Sequence, residues 1–233
     1  SQRPSKVIYD RANSSIAKAS ATDFDWDKIF DGAEWFHFTG ITPALGGDLV
    51  EICKQACIAA KAHGVKVSCD LNYRKKLWNW EEGTAKNVLA NRCMSQIVPL
   101  ADIIIGNEED ASDVFGINAS NTSIEKGELN IEGYKEVAAL LSAKFPKAKY
   151  VAITLRESIS ADHNNWGGML YDCRQAKAFF APLDAEGNYN AYQIRNIVDR
   201  FGGGDSFCAG LIFALNTEEF ADPATAIRFA VAS

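Results

Sequence analysis

Residues 101–115 read ADIIIGNEEDASDVF. Ala101 to Ile105 is an almost continuous apolar run, which fits a strand of a parallel sheet covered on both faces. Asn107 to Phe115 starts a helix, with acidic residues placed to complement the helix dipole. A covered strand that leads straight into a helix is the building unit of a parallel α/β sheet.

The same unit recurs on either side. Upstream, Glu34 to Thr39 (EWFHFT) is an aromatic and apolar strand that ends at Gly40. A helix pattern follows from Gly47 to His63, with Leu49, Ile52, Cys53, Ala56 and Ala60 on one face and Gly64 in the usual C-cap place. Val65 to Leu71 is the next strand, and Trp80 to Ser95 the next helix. Downstream, 118–130 is a polar loop, Ile131 to Phe145 a helix and Tyr150 to Thr154 a fourth strand. Gly168 to Tyr171 and Ala176 to Phe180 read as a hairpin, and Asp205 to Leu215 and Pro223 to Val231 as helices. Val7 to Tyr9 is expected as a short strand and Trp26 to Phe30 as a short helix. Strand followed by helix, repeated four times, predicts a parallel sheet with helices on both faces and ligands at the carboxyl ends of its strands.

Bulk properties restrict the partners. The chain has 233 residues, 47% apolar and 23% charged, with 24 basic and 30 acidic residues giving a net charge of −6. No Lys/Arg run stands out, so neither nucleic acid nor an anionic membrane is expected as a partner. A small anion needs only a few placed arginines. Six cysteines form no C-x-x-C pair, and the three histidines do not cluster with them. They read as buried small apolar side chains in a reducing compartment, and a cytoplasmic location is expected. No apolar run would span a bilayer, and no signal-peptide pattern opens the chain. The opening SQRPS and a final AVAS that stops inside a helical pattern suggest missing pieces at both ends.

The chemistry concentrates in Asp199–Phe207, DRFGGGDSF, followed by the apolar stretch CAGLIFAL. Three glycines let the backbone bend and approach a ligand without a Cβ in the way. The helix that follows offers free N–H groups and the positive end of its dipole to an anion. That suits the charge spread over a transferring phosphoryl group. Asp205 beside it would repel a phosphate, which makes sense if a neutral hydroxyl lies between them and Asp205 takes its proton. The plainer reading is a helix N-cap, which Asp fills well.

The nine-residue string resembles the C-terminal signature of the ribokinase-like (PfkB) sugar kinases, D-T-x-G-A-G-D-[ST]-F. Gly202, Gly204, Asp205, Ser206 and Phe207 match, while Gly203 replaces the common Ala and Arg200 the common Thr. The resemblance implies an anion hole at Gly202, Gly203 and Gly204 and a catalytic base at Asp205, which also meets the substrate. Asn107-Glu108-Glu109-Asp110 is similar to the family's N-x-x-E motif, with Asp110 where Glu is usual. It implies that Asn107 and Asp110 hold Mg²⁺ through water, near the nucleotide phosphates. Thr154-Leu155-Arg156 stands where most members have a T-L-G turn near those phosphates, and the polar segment from Glu157 to Trp166 is longer than the usual tight hairpin.

Five strings resemble the 2-keto-3-deoxygluconate kinase branch: VIYDRANSS (7–15), HFTGIT (37–42), DLNYRKKLW (70–78), TLRESISA (154–161) and VDRFGGGDSF (198–207). The branch implies substrate contacts at Tyr9, Arg11 and Arg74, with backbone near Ile41. Tyr9 and Arg11 alternate along a short strand and so point to one face, and Asn72 and Arg74 alternate in the same way. A guanidinium fork can take a carboxylate bidentately, and a phenol can donate to a hydroxyl.

The expected fold is therefore α/β, a ribokinase-like three-layer α/β/α with a mostly parallel central sheet. Its small β-sheet lid is largely missing from this chain: 1–14 would be a remnant lid strand, and 15–233 the kinase core with a nucleotide-binding C-terminal half. The expected reaction is ATP-dependent phosphorylation of the 6-hydroxyl of 2-keto-3-deoxygluconate, with Mg²⁺. The need for a monovalent cation and the choice between gluconate and galactonate epimers stay open, as does a homo-oligomer formed through the lid. The rivals are a fructokinase- or ribokinase-type enzyme and a non-catalytic nucleotide or sugar-acid sensor. A dinucleotide-binding oxidoreductase is disfavoured because no G-x-G-x-x-G occurs.

Overall fold

The computed structural model of the chain describes residues 10–11, 13–120, 131–160, 162–197 and 202–233. The expected strand at Val7–Tyr9 and part of the expected 118–130 loop lie outside them. The chain divides into two compact units, Ser1–Ala101 and Asp102–Ser233.

In the first unit, helix α1 (Trp26–Phe30) leads to strand β1 (Trp35–Thr39), helix α2 (Gly47–Ala62), strand β2 (Lys66–Asp70) and helix α3 (Lys86–Ile97). β1 and β2 pair in parallel, from Trp35 opposite Lys66 to Thr39 opposite Asp70. α2 buries Leu49, Val50, Ile52, Cys53, Ala56, Cys57 and Ala60, the expected face widened by its neighbours. Gly64 has φ +73°, the left-handed conformation that lets the chain leave the helix. The α3 helix starts at Lys86 rather than the expected Trp80. Gly83 at φ +79° interrupts the segment, and Trp80 packs its ring against Gly47.

The second unit holds strand β3 (Ile103–Gly106), helices α4 (Glu108–Phe115) and α5 (Ile131–Lys144), and strands β4 (Tyr150–Ser158), β5 (His163–Asp172), β6 (Lys177–Ala181) and β7 (Tyr192–Arg195). Helices α6 (Gly203–Asn216) and α7 (Pro223–Ala232) close it. β3 and β4 are parallel; β5 turns back antiparallel to β4 and pairs with both β6 and β7. Ile103, Ile104 and Ile105 are all buried, as a strand covered on both faces requires.

Helices lie on both faces of this sheet. A Cβ at Gly168 would press on Phe207 of α6 and on Ile227 and Val231 of α7. Gly168 pairs with Ala181, so the neighbouring Phe180 of β6 points to the opposite face, where Lys135 of α5 sits over its ring. This is the expected mixed α/β architecture with a sheet flanked by helices.

Two features depart from expectation. β4 runs on to Ser158, with Glu157 and Ser158 opposite Asn165 and Asn164, so most of the polar segment expected as a long hairpin loop is paired strand. β7 (YQIR) is only four residues long and exposed throughout, so the brief alternation of Tyr192 and Ile194 does not announce it. None of the six cysteines is in a disulfide; five are buried and Cys173 is half-buried. Burial pushes the thiols of Cys53 and Cys57 up to about 12, as inert core side chains. Among the described residues no helix is long and apolar enough to cross a membrane.

Candidate active site

α6 begins at the triglycine. Gly202 is its N-cap at φ +80°, and Ser206 N–H donates to the Gly202 carbonyl at 2.7 Å, closing the first helical turn. Helix geometry gives the N–H groups of Gly203, Gly204 and Asp205 no acceptor within the helix. A Cβ built on Gly202, Gly203 or Gly204 would meet nothing within 4 Å. Among the described residues, the backbone here is therefore bare on its Cβ side. Asp205 stands in the first turn and is exposed. The plainer reading of Asp205 as an N-cap does not describe it, because Gly202 holds that place.

Phe207 sets the direction of α6. It is 1% exposed, meets Trp166 edge-on at 6.1 Å between ring centres, and lies over Gly168. Trp166 Nε1–H donates to the Val231 carbonyl at 3.1 Å, which ties β5 to α7 as well. Across the β4–β5 ladder, Arg156 stands opposite Trp166 and Thr154 opposite Gly168. Directly opposed residues share a face, so Thr154 and Arg156 lie on the α6 side of the sheet. The expected T-L-R turn is not a turn: all three residues are inside β4. Thr154 is half-buried and Arg156 exposed.

Asn107 follows β3, whose last residue Gly106 stands beside Ile153 in parallel register. Asn107 and Thr154 are thus the next residues along the two strands, where β3 ends and β4 runs on. Asn107 Oδ1 accepts the Asp110 N–H at 2.7 Å, and Asp110 Oδ2 accepts the Asn107 N–H at 3.1 Å. This reciprocal capping box fixes the start of α4 and engages one oxygen of each side chain. Among the described residues, no group of three or more His, Cys, Asp or Glu side chains comes together as a metal site.

The sugar-acid candidates belong to the first unit, except Tyr9, which lies outside the described residues. Arg11 is exposed, and its carbonyl accepts from Ser14 Oγ at 2.8 Å. After β2, Leu71 and Tyr73 are buried, Asn72 is half-buried and Arg74 is exposed. Leu77 and Trp78 are buried too, and Leu77 N–H donates to the Arg74 carbonyl at 2.8 Å. Ile41 is half-buried in a turn in which Thr42 N–H donates to the Thr39 carbonyl at 3.1 Å.

Sequence reading passed over Thr39 and Gly40. Thr39 Oγ1 accepts from Asn72 Nδ2 at 3.1 Å, and from Ile41 N–H at 3.4 Å. A Cβ at Gly40 would stand 2.0 Å from the Leu71 carbonyl oxygen. The signal available was that HFTGIT and DLNYRKKLW each follow a strand of one parallel pair.

Comparison with known proteins agrees with this architecture. Residues 2–155 match the pfkB family carbohydrate kinases. The glycine loop lies beyond that stretch, but a 2-dehydro-3-deoxygluconokinase structure from Thermotoga maritima is similar over 100% of the chain, at 43% identity and a TM-score of 0.81. A PfkB family carbohydrate kinase from Listeria grayi is similar over 97% of the chain, at 30% identity and a TM-score of 0.77. A 2-dehydro-3-deoxygalactonokinase from Haloferax volcanii is 32% identical over 50% of the chain. The chain spans 62% and 61% of the two structures and 34% of the Haloferax protein. With more than half of its length matched to one family and its sheet, helices and glycine loop in that order, this chain belongs to the pfkB family of carbohydrate kinases.

Proposed function

We propose that the protein carrying this chain transfers the γ-phosphoryl group of ATP to the 6-hydroxyl of 2-keto-3-deoxygluconate, yielding the 6-phosphate and ADP. The observation that carries this reading is the open glycine loop at the start of α6 with an exposed carboxylate, Asp205, immediately after it. The names of the Thermotoga and Haloferax relatives support a sugar acid as the acceptor.

In this reading Asp205 accepts the hydroxyl proton as that oxygen attacks phosphorus, and the bond from phosphorus to the ADP oxygen breaks in line. The N–H groups of Gly202, Gly203 and Gly204 take the charge on the migrating group. Thr154 and Arg156, on the α6 side of the sheet, lie toward the nucleotide phosphates. When bound, Mg²⁺ supplies charge neutralisation between phosphates, and Asn107 and Asp110 would hold it through water. Arg11 and Arg74 take the substrate carboxylate, and Tyr9, Asn72 and the backbone at Ile41 align the sugar chain. Residues 1–14 would contribute to a lid, through which copies could pair, and the enzyme would work in the cytoplasm.

The test is ADP release on the complete protein with both ketodeoxy epimers, fructose and ribose. Turnover of the gluconate epimer above the others is expected. Preference for a neutral sugar would overturn the carboxylate roles of Arg11 and Arg74. Binding of both ligands without transfer would overturn the kinase reading in favour of a sensor. The Haloferax relative's name favours one second reading, the galactonate epimer as substrate, which the same panel decides.

A further inference from the structure

We propose that Thr39 is a positioning residue for sugar-acid recognition: its hydroxyl clamps the turn that presents Arg74 to the end of β1, and Asn72 is the other jaw of the clamp. The inference rests on the reading above in which Arg74 takes the substrate carboxylate.

Asn72 has φ +36°, a left-handed conformation that side chains other than Gly seldom adopt, though Asn tolerates it better than most. Such a conformation persists where the surroundings hold it. Its amide Nδ2 donates to Thr39 Oγ1 at 3.1 Å, across 33 residues of chain. The same oxygen accepts the Ile41 N–H at 3.4 Å. One hydroxyl therefore joins the two loops that follow a parallel strand pair, at the carboxyl ends where ligands bind in such sheets.

The backbones around it leave little slack. Gly40 N–H donates to the Asp70 carbonyl at 2.8 Å, and the space for a Cβ at Gly40 is already filled by the Leu71 carbonyl. Leu71, Tyr73, Leu77 and Trp78 pin one side of the 71–78 segment in the core. Burial fixes where the segment lies. The left-handed turn at Asn72 fixes how the chain enters Tyr73 and Arg74, and the Thr39 hydroxyl holds that turn. Asn72 Nδ2 spends one of its two N–H bonds on Thr39, and through that bond Asn72 holds Arg74 in place.

Thr39→Val keeps the β-branched shape and removes the acceptor. In the complete protein it should raise KM for the ketodeoxy acid about tenfold and leave KM for ATP within about twofold. Thr39→Ser restores the hydroxyl and should return KM for the acid to within about threefold of wild type. Asn72→Gly accepts the left-handed turn without strain but loses the amide, and should show the same split between the two KM values. An unchanged KM for the acid in Thr39→Val or Asn72→Gly, or an equal rise in both KM values, would overturn the proposal. Should the wild-type protein phosphorylate no ketodeoxy acid, the role of Arg74 falls instead. The clamp is then judged by NMR on the same proteins. Asn72 side-chain amide protons that exchange slowly in wild type and fast in Thr39→Val sustain it, and equal exchange overturns it.

Discussion

Gly40 and the Gly202–Gly204 loop are glycine for opposite reasons. At Gly40 a Cβ would collide with the Leu71 backbone at 2.0 Å, whereas at each of the three loop glycines it would meet nothing within 4 Å. In the first case the missing side chain lets two backbones of the fold touch. In the second it leaves backbone bare, although Gly202 at φ +80° is also required by the turn it makes. The filled position is expected to answer to packing, and the open Gly203 and Gly204 are proposed to answer to a ligand. Substitutions in the two places should therefore fail in different assays.

The largest effect is expected at the residue that closes the open loop. Asp205→Ala should lower kcat by about 10² or more while nucleotide affinity and unfolding midpoint stay near wild type. Normal turnover in that variant would remove Asp205 as the base. Next, Gly40→Ala should destabilise by about 1–3 kcal/mol, because the added methyl meets backbone that cannot rotate away. Urea unfolding reads this directly, and an unchanged midpoint would erase the contrast between the two kinds of glycine. Gly203→Ala should do the reverse. Its stability should stay within about 0.5 kcal/mol, since the added methyl points into open space, while KM for ATP rises about tenfold. A drop in stability without a change in KM would mean the loop is structural after all.

The smallest effect concerns Tyr189, whose ring fills the space beside Gly167 and whose phenol is buried with no hydrogen-bond partner among the described residues. Burial, helped by Glu157, pushes this phenol up to about 12. The folded value lies above the unfolded value of about 10. The fold thus favours the neutral form, and the stability tied to that preference is complete below about pH 10 and is lost as pH climbs toward 12. Tyr189→Phe should flatten that alkaline loss in urea midpoints measured at two pH values, with little change near neutrality.

The strands and helices that position the site were legible where apolar pattern and punctuation agree. Ile103 to Ile105 announced a covered strand, and Gly64 marked a helix end. The polar half of the β4–β5 hairpin was not, because side chains polar on both faces carry no period to read, and the four-residue β7 is too short to show one. At the site, the triglycine and Asp205 could be read because both chemistry and capping depend on local residue types. Asn107 and Asp110 could be read only as a pair with two meanings, and the structure engages them in a capping box that is compatible with both. Thr39 was illegible. A threonine at the end of a strand is ordinary, and its meaning comes from Asn72, which only folding brings to it.

The distribution of thiols has a practical consequence. With five cysteines enclosed in the core and only Cys173 half-exposed, an alkylating reagent should find at most one ready target on the native chain and six after denaturation. Because Cys53, Cys57, Cys69 and Cys93 lie in one compact unit and Cys173 and Cys208 in the other, mapping which sulfurs become labelled over time would report which half of the molecule opens first.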